Sequence, residues 1–298
     1  MESIKFIGEF YSILVAFVWA VAVILFKKSG ETVHPIMLNI FKNVFALILY
    51  FLTIMAIGIK LPPDASIQLY VILMTSGALG IGISDTLFFA SLNRLGAGLS
   101  AIVDCMYSPS IIILSVIFLN EKMTYWQILG VLLILSAILA ITSKKGRAHI
   151  SKSDLFIGIL YGAIAMITMA ISIVMVKHIL ATTNVLFVVQ IRFIGGIAVM
   201  LVILGFHPKR KKIARSIFTK KGWGYTLAGS FIGAYLATII WMAGMKYTQA
   251  SISSALNQTS SLFIFIFAAM FLHEPLNRYR VAGLVLGITG VFCVILGN

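Results

Sequence analysis

Charge is what this sequence has least of. Only 11% of its residues are Asp, Glu, Lys or Arg, whereas 60% are hydrophobic; a soluble domain carries about a quarter charged residues. Too few polar side chains remain to cover the apolar surface in water, so a water-soluble fold is excluded. Cysteine is nearly absent: Cys105 and Cys293 both sit in apolar runs, which argues against a disulfide framework or a thiolate metal site. The histidines, His34, His149, His178, His207 and His273, lie near loops without ligand spacing, so neither a zinc site nor a catalytic cluster is expected. No Gly-x-x-x-x-Gly-Lys-Ser/Thr loop is present to hold a nucleotide, which leaves direct ATP drive unsupported and implies no cofactor. Glu2 and Glu9 interrupt the first ten residues and no small-residue cleavage site follows. The first apolar run is therefore expected to stay in the membrane rather than be removed as a signal peptide.

What is present is long apolar runs. A bilayer core about 30 Å thick takes roughly 20 apolar residues per helix. Ten segments qualify: 7–28, 35–58, 67–92, 96–118, 124–143, 155–178, 185–206, 222–246, 251–272 and 278–297. Spanning strands are excluded, because a barrel would show alternating segments of about ten residues instead. The formal net charge of +14 suggests nucleic acid at first sight. The cations, however, fall in short runs between apolar spans, where they serve as orientation signals and lipid-headgroup contacts. Nucleic acid is not an expected partner; the bilayer and a small-molecule substrate are, and a monomer and a homodimer fit the sequence equally.

The chain repeats itself. A shift of 150 residues aligns Phe6-Ile7-Gly8 with Phe156-Ile157-Gly158, Tyr11 with Tyr161, Lys27 with Lys177 and Lys42 with Arg192. After the basic loop 207–221 the shift becomes 153, aligning Gly80 with Gly233, Ser100 with Ser253, Ser108 with Ser261, Glu121 with Glu274 and Asp104 with Asn257. The expected fold is an all-α integral membrane protein of ten transmembrane helices, built as two five-helix repeats over 1–148 and 149–298. An odd helix number makes the second copy enter from the opposite side, giving an inverted repeat. Such folds place the substrate near the midplane between the halves and rock one half against the other.

Leu119-Asn120-Glu121 followed by Gly130, and Leu272-His273-Glu274-Pro275 followed by Gly283, close the two halves. Small-residue runs at Gly96-Ala97-Gly98-Leu99-Ser100-Ala101 and Ala250-Ser251-Ile252-Ser253-Ser254-Ala255 open the fourth and ninth helices. With five-plus-five helices, this chain resembles the EamA branch of the drug/metabolite transporter superfamily along nearly its whole length. The resemblance implies export or exchange of small metabolites, commonly amino acids and their relatives; sugar-phosphate and nucleotide-sugar carriers share the architecture more distantly.

Ionisable residues inside membrane helices are costly, so each is a functional candidate. Lys42 and Arg192 lie about eight residues, roughly 12 Å, into their helices. Together they could hold a carboxylate or phosphate; alternatively, each snorkels or pairs with a carboxylate. Asp85 and Asp104 could neutralise those cations, bind an ammonium group or carry a coupling proton. Asp104 aligns with neutral Asn257, so the halves are expected to differ. Trp19, Tyr107 and Trp241 are deep enough to line a cavity or to face lipid.

Other residues read as structural. Glu121 and Glu274 stand before the fifth and tenth helices and favour the N-terminal dipole end of each. Gly77, Gly80, Gly82, Gly229 and Gly233 permit close packing. Pro109 should kink the fourth helix; Leu262 takes its place in the second half, so a one-sided hinge is expected.

The function these features favour is secondary transport, as exporter or exchanger, of a zwitterion such as an amino acid. The alternatives are an anionic phosphorylated metabolite and, from another class, a non-transporting structural membrane subunit. An enzyme would need a nucleophile–base or metal constellation, which the spacing does not offer. The side of the membrane carrying loops 144–154 and 207–221 collects most of the Lys and Arg outside Lys42 and Arg192. Those loops are expected in the cytoplasm, with both termini outside. The family resemblance implies the opposite orientation.

Overall fold

The computed structural model describes residues 7–58, 66–119, 124–142, 150–218, 222–248, 250–275 and 277–296, and these are almost wholly helical. The order is α1 (Ile7–Ser29), α2 (Pro35–Ile57), α3 (Ile67–Gly77), a π-helical segment (Ala78–Ser84) and α4 (Asp85–Leu95). Then follow α5 (Ala97–Asp104), α6 (Tyr107–Leu119), α7 (Tyr125–Thr142), α8 (Lys152–Thr182) and α9 (Val185–Phe206). The rest is α10 (Arg210–Arg215), a 3₁₀ turn (Ser216–Phe218), α11 (Trp223–Gly229), a second π-helical segment (Ser230–Ala237) and α12 (Thr238–Tyr247), with α13 (Ala250–Asn257), α14 (Ser260–Leu272) and α15 (Arg278–Leu296). Seven helices among the described residues are long and apolar enough to cross a membrane. Large apolar side chains such as Phe10, Phe51, Ile67 and Phe206 cover the outside, a surface that needs lipid around it.

Two expected spans are interrupted in the same way. Residues 67–95 and 223–247 each switch to π-helix midway, at positions 153 apart within one residue. A π turn frees backbone groups, and side chains of α2 take them up. Asn39 Nδ2 donates to the Ile81 carbonyl at 2.8 Å, and the Tyr50 hydroxyl donates to the carbonyls of Ala234 at 2.5 Å and Tyr235 at 3.0 Å.

The glycines of these segments pack closely. A Cβ at Gly77 would strike the backbone carbonyl of Arg192, and one at Gly80 the Ser172 hydroxyl, while Gly229 and Gly233 lie against Phe26. Gly96 does something else: its φ of +83° lets the chain reverse within one residue between α4 and α5, a conformation that favours glycine.

The segments expected as the fourth and ninth spans are broken, at Cys105–Met106 and at Gln258–Thr259. Pro109 accounts for the first break, since it has no N–H to offer the Cys105 carbonyl four residues earlier. The one-sided hinge expected from Pro109 is corrected, however, because α13 and α14 break at the equivalent place without proline. There the backbone turns to i→i−3 bonds, Thr259 N to Leu256 O at 3.1 Å and Leu262 N to Thr259 O at 3.1 Å. The two breaks meet. Gln258 Nε2 donates to the Asp104 carbonyl at 2.5 Å and the Ser261 hydroxyl to the Ala101 carbonyl at 2.9 Å. At the second break the Thr259 hydroxyl donates to the Leu256 carbonyl at 2.7 Å, and contact with the first break adds to this local bond.

The halves interdigitate. α1 packs on α11, α12 and α14, α8 packs on α3, α4 and α6, and α7 pairs with α15. Lys27 and Lys177, aligned by the repeat, both cap helix C-termini. Lys27 Nζ donates to the carbonyls of Leu92 and Asn93 at 3.2 and 3.3 Å, and Lys177 Nζ to those of Met245 and Thr248. Cations suit that end of the helix dipole.

Candidate functional site

Where α1, α2, α8 and α9 meet the π segments and the helix breaks, a cavity of about 120 Å³ opens. That volume suits a small metabolite, since drug-sized ligands fill roughly 300–1,000 Å³. Trp19, Lys42, Asp85, Asp104, Tyr107, Arg192, Trp241 and Asn257 all stand on its wall. Each π segment delivers the residue that follows it, Asp85 after Ser84 and Thr238 after Ala237. Each broken helix delivers the residue at its break, Asp104 on one side and Asn257 on the other.

The two cations have different partners. Lys42, 4% exposed, donates from Nζ to Asp85 Oδ2 at 2.7 Å and to Asn43 Oδ1 at 2.8 Å. Arg192, 2% exposed, donates from Nη2 to the Ser172 hydroxyl at 2.8 Å and contacts Met242 Sδ from Nη1 at 3.1 Å. Among the described residues no carboxylate lies within ion-pair distance of it. The repeat gives the reason. The position equivalent to Asp85 is Thr238, so the second half carries the cation without that counter-ion.

Asp104 is the complementary case. Its backbone carbonyl accepts from Gln258, but its carboxylate makes no hydrogen bond or ion pair with the described residues. Buried polar groups are normally satisfied, yet this cavity gathers several that are not: Arg192 Nε, the Tyr107 hydroxyl, Trp241 Nε1 and Asn257 Oδ1 have no partner among the described residues. The groups without partners include donors at Arg192, Tyr107 and Trp241 and an acceptor at Asn257, beside the Asp104 carboxylate on the same wall. The ionisable wall balances, with two cations and two carboxylates. Its apolar part comes from Val15, Phe88, Met166, Met169 and Phe193.

Sequence reasoning missed Thr238, Gln258 and Ser172. Thr238 was available from the 153-residue register opposite Asp85; Ser172 and Gln258 act through contacts that no spacing reveals. Glu274 needs a correction. It sits at a helix N-terminus, but not that of the next helix: its carboxylate accepts from Ala97 N at 2.6 Å and Gly98 N at 3.1 Å, capping α5 of the other half. Asn277 Oδ1 caps α15 instead. Arg280 is 3% exposed and lies 3.6 Å from Glu274. Glu121 and His149 fall outside the described residues. Cys105 and Cys293 are free thiols, and no group of three or more His, Cys, Asp or Glu that could hold a metal occurs among the described residues.

The EamA-like transporter family matches this chain twice, over residues 6–143 and 156–296. An uncharacterized transporter of Archaeoglobus fulgidus is 22% identical over 96% of each chain. The uncharacterized transporter YvbV of Bacillus subtilis is 26% identical over 75% of this chain and 71% of its own. Protein PecM of Dickeya dadantii is 24% identical over 78% and 75%. One crystal structure superposes with a TM-score of 0.70 over 98% of this chain and 97% of its own, at 14% identity, a likeness of fold alone. Two family matches that together span nearly the whole chain, on a helical body with an apolar exterior, mean that this multi-pass protein of the cell membrane belongs to the EamA-like transporter family.

Proposed function

We propose that this transporter carries a small zwitterion such as an amino acid, as exporter or exchanger, by alternating access of two inverted five-helix repeats, 1–148 and 149–298, with ten spans in all. The observation that carries the substrate class is the pair of unpartnered opposite charges on one wall, Arg192 and Asp104. A carboxylate on Arg192, with Tyr107 and Trp241 as further donors, and an ammonium on Asp104 and Asn257 would satisfy both ends at once. With Lys42, Arg192, Asp85 and Asp104 all ionised the wall carries two charges of each sign, and a neutral zwitterion keeps that balance. A phosphorylated anion would bring uncompensated charge into a low-dielectric site, which is costly. Lys42, the second cation such an anion would need, is held by Asp85. The inverted arrangement is supported by the two family matches and by paired π segments and paired breaks at one register. The Glu274 clasp on α5 ties the halves together at one end and would have to part when that end opens.

Uptake into proteoliposomes tests the substrate class. An amino acid should be transported, whereas its methyl ester and its N-acetyl derivative, each lacking one charge, should not. Equal uptake of the ester would remove Arg192 from the reading. With a pH gradient imposed, wild-type flux should respond and Asp104→Asn flux should not; a wild type indifferent to the gradient would rule out proton coupling.

Orientation follows the charges: the basic loops 144–154 and 207–221 face the cytoplasm and both termini face outward. A reporter that fluoresces only in the cytoplasm, fused after Asn298, should stay dark. Fluorescence there would reverse the assignment.

A further inference from the structure

A second cavity, of about 450 Å³, lies away from the first, between the α1–α2 connection and the segment that follows α9. Its lining brings together His34, His207, Lys209, Lys212 and Ser216, residues that no sequence spacing had grouped. The His34 and His207 rings stand edge to face, with centroids 6.4 Å apart.

The Ser216 hydroxyl is already engaged, accepting from His34 N at 3.1 Å and donating to the Ile213 carbonyl at 2.6 Å; the donors left to the cavity are those of the histidines and lysines. His34 Nδ1 accepts from Ile36 N at 3.4 Å, and His207 Nδ1 accepts from Lys209 N at 3.1 Å. A ring nitrogen that accepts a backbone N–H carries no proton, so in each neutral ring the proton is on Nε2. Each histidine thus brings an N–H donor to the wall, beside the ammonium groups of Lys209 and Lys212. His34 is also the N-cap of the 23-residue α2, with Pro35 next, so the positive end of that helix dipole faces the same region. The one carboxylate on the wall, Glu31, is engaged by Lys28 at 3.7 Å. A metal is the wrong occupant: the histidines and Glu31 do not form a three-ligand group among the described residues.

From this convergence of donors we infer that the cavity binds a phosphate group, presented by an anionic lipid headgroup or by a soluble phosphate compound. Basic pockets between membrane helices hold lipid headgroups in this manner, and the site is separate from the proposed transport cavity, whose wall shares none of these residues.

Thermal unfolding of the full chain in detergent, titrated with dioctanoyl phosphatidylglycerol, dioctanoyl phosphatidylcholine or inorganic phosphate, tests the site. Phosphatidylglycerol or phosphate should raise the unfolding temperature in a saturable way. A response to phosphatidylglycerol but to neither phosphatidylcholine nor phosphate assigns an anionic headgroup; saturation by inorganic phosphate assigns a soluble compound. An equal response to phosphatidylcholine would mean general lipid binding and overturn the inference. The double variant Lys209→Gln/Lys212→Gln should need roughly tenfold more ligand, the loss expected for charge-assisted hydrogen bonds. Lys211→Gln/Arg215→Gln removes the same charge from exposed positions off the cavity wall and should bind like wild type. Equal weakening in both double variants, or no response to phosphatidylglycerol or phosphate, would overturn the inference; the first result would mean general surface attraction.

Discussion

Arg192→Gln is expected to weaken substrate binding about 100-fold or more, the scale of truncating a buried charge that meets an opposite charge, while leaving the unfolding temperature unchanged or higher. The two halves of that expectation have one cause. Arg192 is almost wholly buried with no carboxylate within ion-pair distance among the described residues, and a charge without a direct counter-ion in a membrane interior costs stability. Removing the charge relieves that cost when the cavity is empty and forfeits the contact when substrate is present. Glutamine keeps a donor for the Ser172 hydroxyl, which limits any collapse of the wall. Arg192→Lys should fall between the two, because an ammonium replaces the charge but not the planar fork. Substrate-induced shifts in unfolding temperature, measured for wild type and both variants, read affinity and stability in one experiment. Normal substrate shifts in Arg192→Gln would remove this residue from the site.

Lys42 occupies the equivalent place in the first half, and its substitution should behave in the opposite way. Lys42→Gln leaves Asp85, 15% exposed, without its cation; losing one member of a fully buried pair costs about 3–5 kcal/mol, so a loss at or below the lower end of that range is expected. Asp85→Asn should cost a similar amount by stranding Lys42. The double variant Lys42→Gln/Asp85→Asn can restore a hydrogen bond between neutral groups, so most of the lost stability should return. Each single variant should lose transport through its fold. Denaturant unfolding of the three proteins measures the coupling directly. Additive losses would mean that the 2.7 Å contact is not a stabilising pair, and Lys42 would return as a substrate ligand.

Much of this molecule was legible in one dimension. Apolar run length marked the helices because a bilayer core demands about 20 apolar residues from each span. The repeat register marked pairs of equivalent positions, and depth within a run marked Lys42, Asp85, Asp104 and Arg192 because charge there is costly wherever the chain goes. All four stand on one wall. Partner choice was not legible. Lys42 and Arg192 occupy equivalent positions, yet one is paired and the other is not, since pairing depends on which carboxylate a neighbouring helix carries to within a few ångströms. The same holds for Gln258, whose side chain meets the Asp104 carbonyl across the chain. It also holds for Glu274, which caps a helix far from it in sequence, and for His34 and His207, which meet only because the ends of α2 and α9 do. Hydrophobic periodicity records how far each residue lies from water. Which residue faces it is decided when helices pack, because hydrogen bonds and ion pairs act over distances shorter than the spacing between helices.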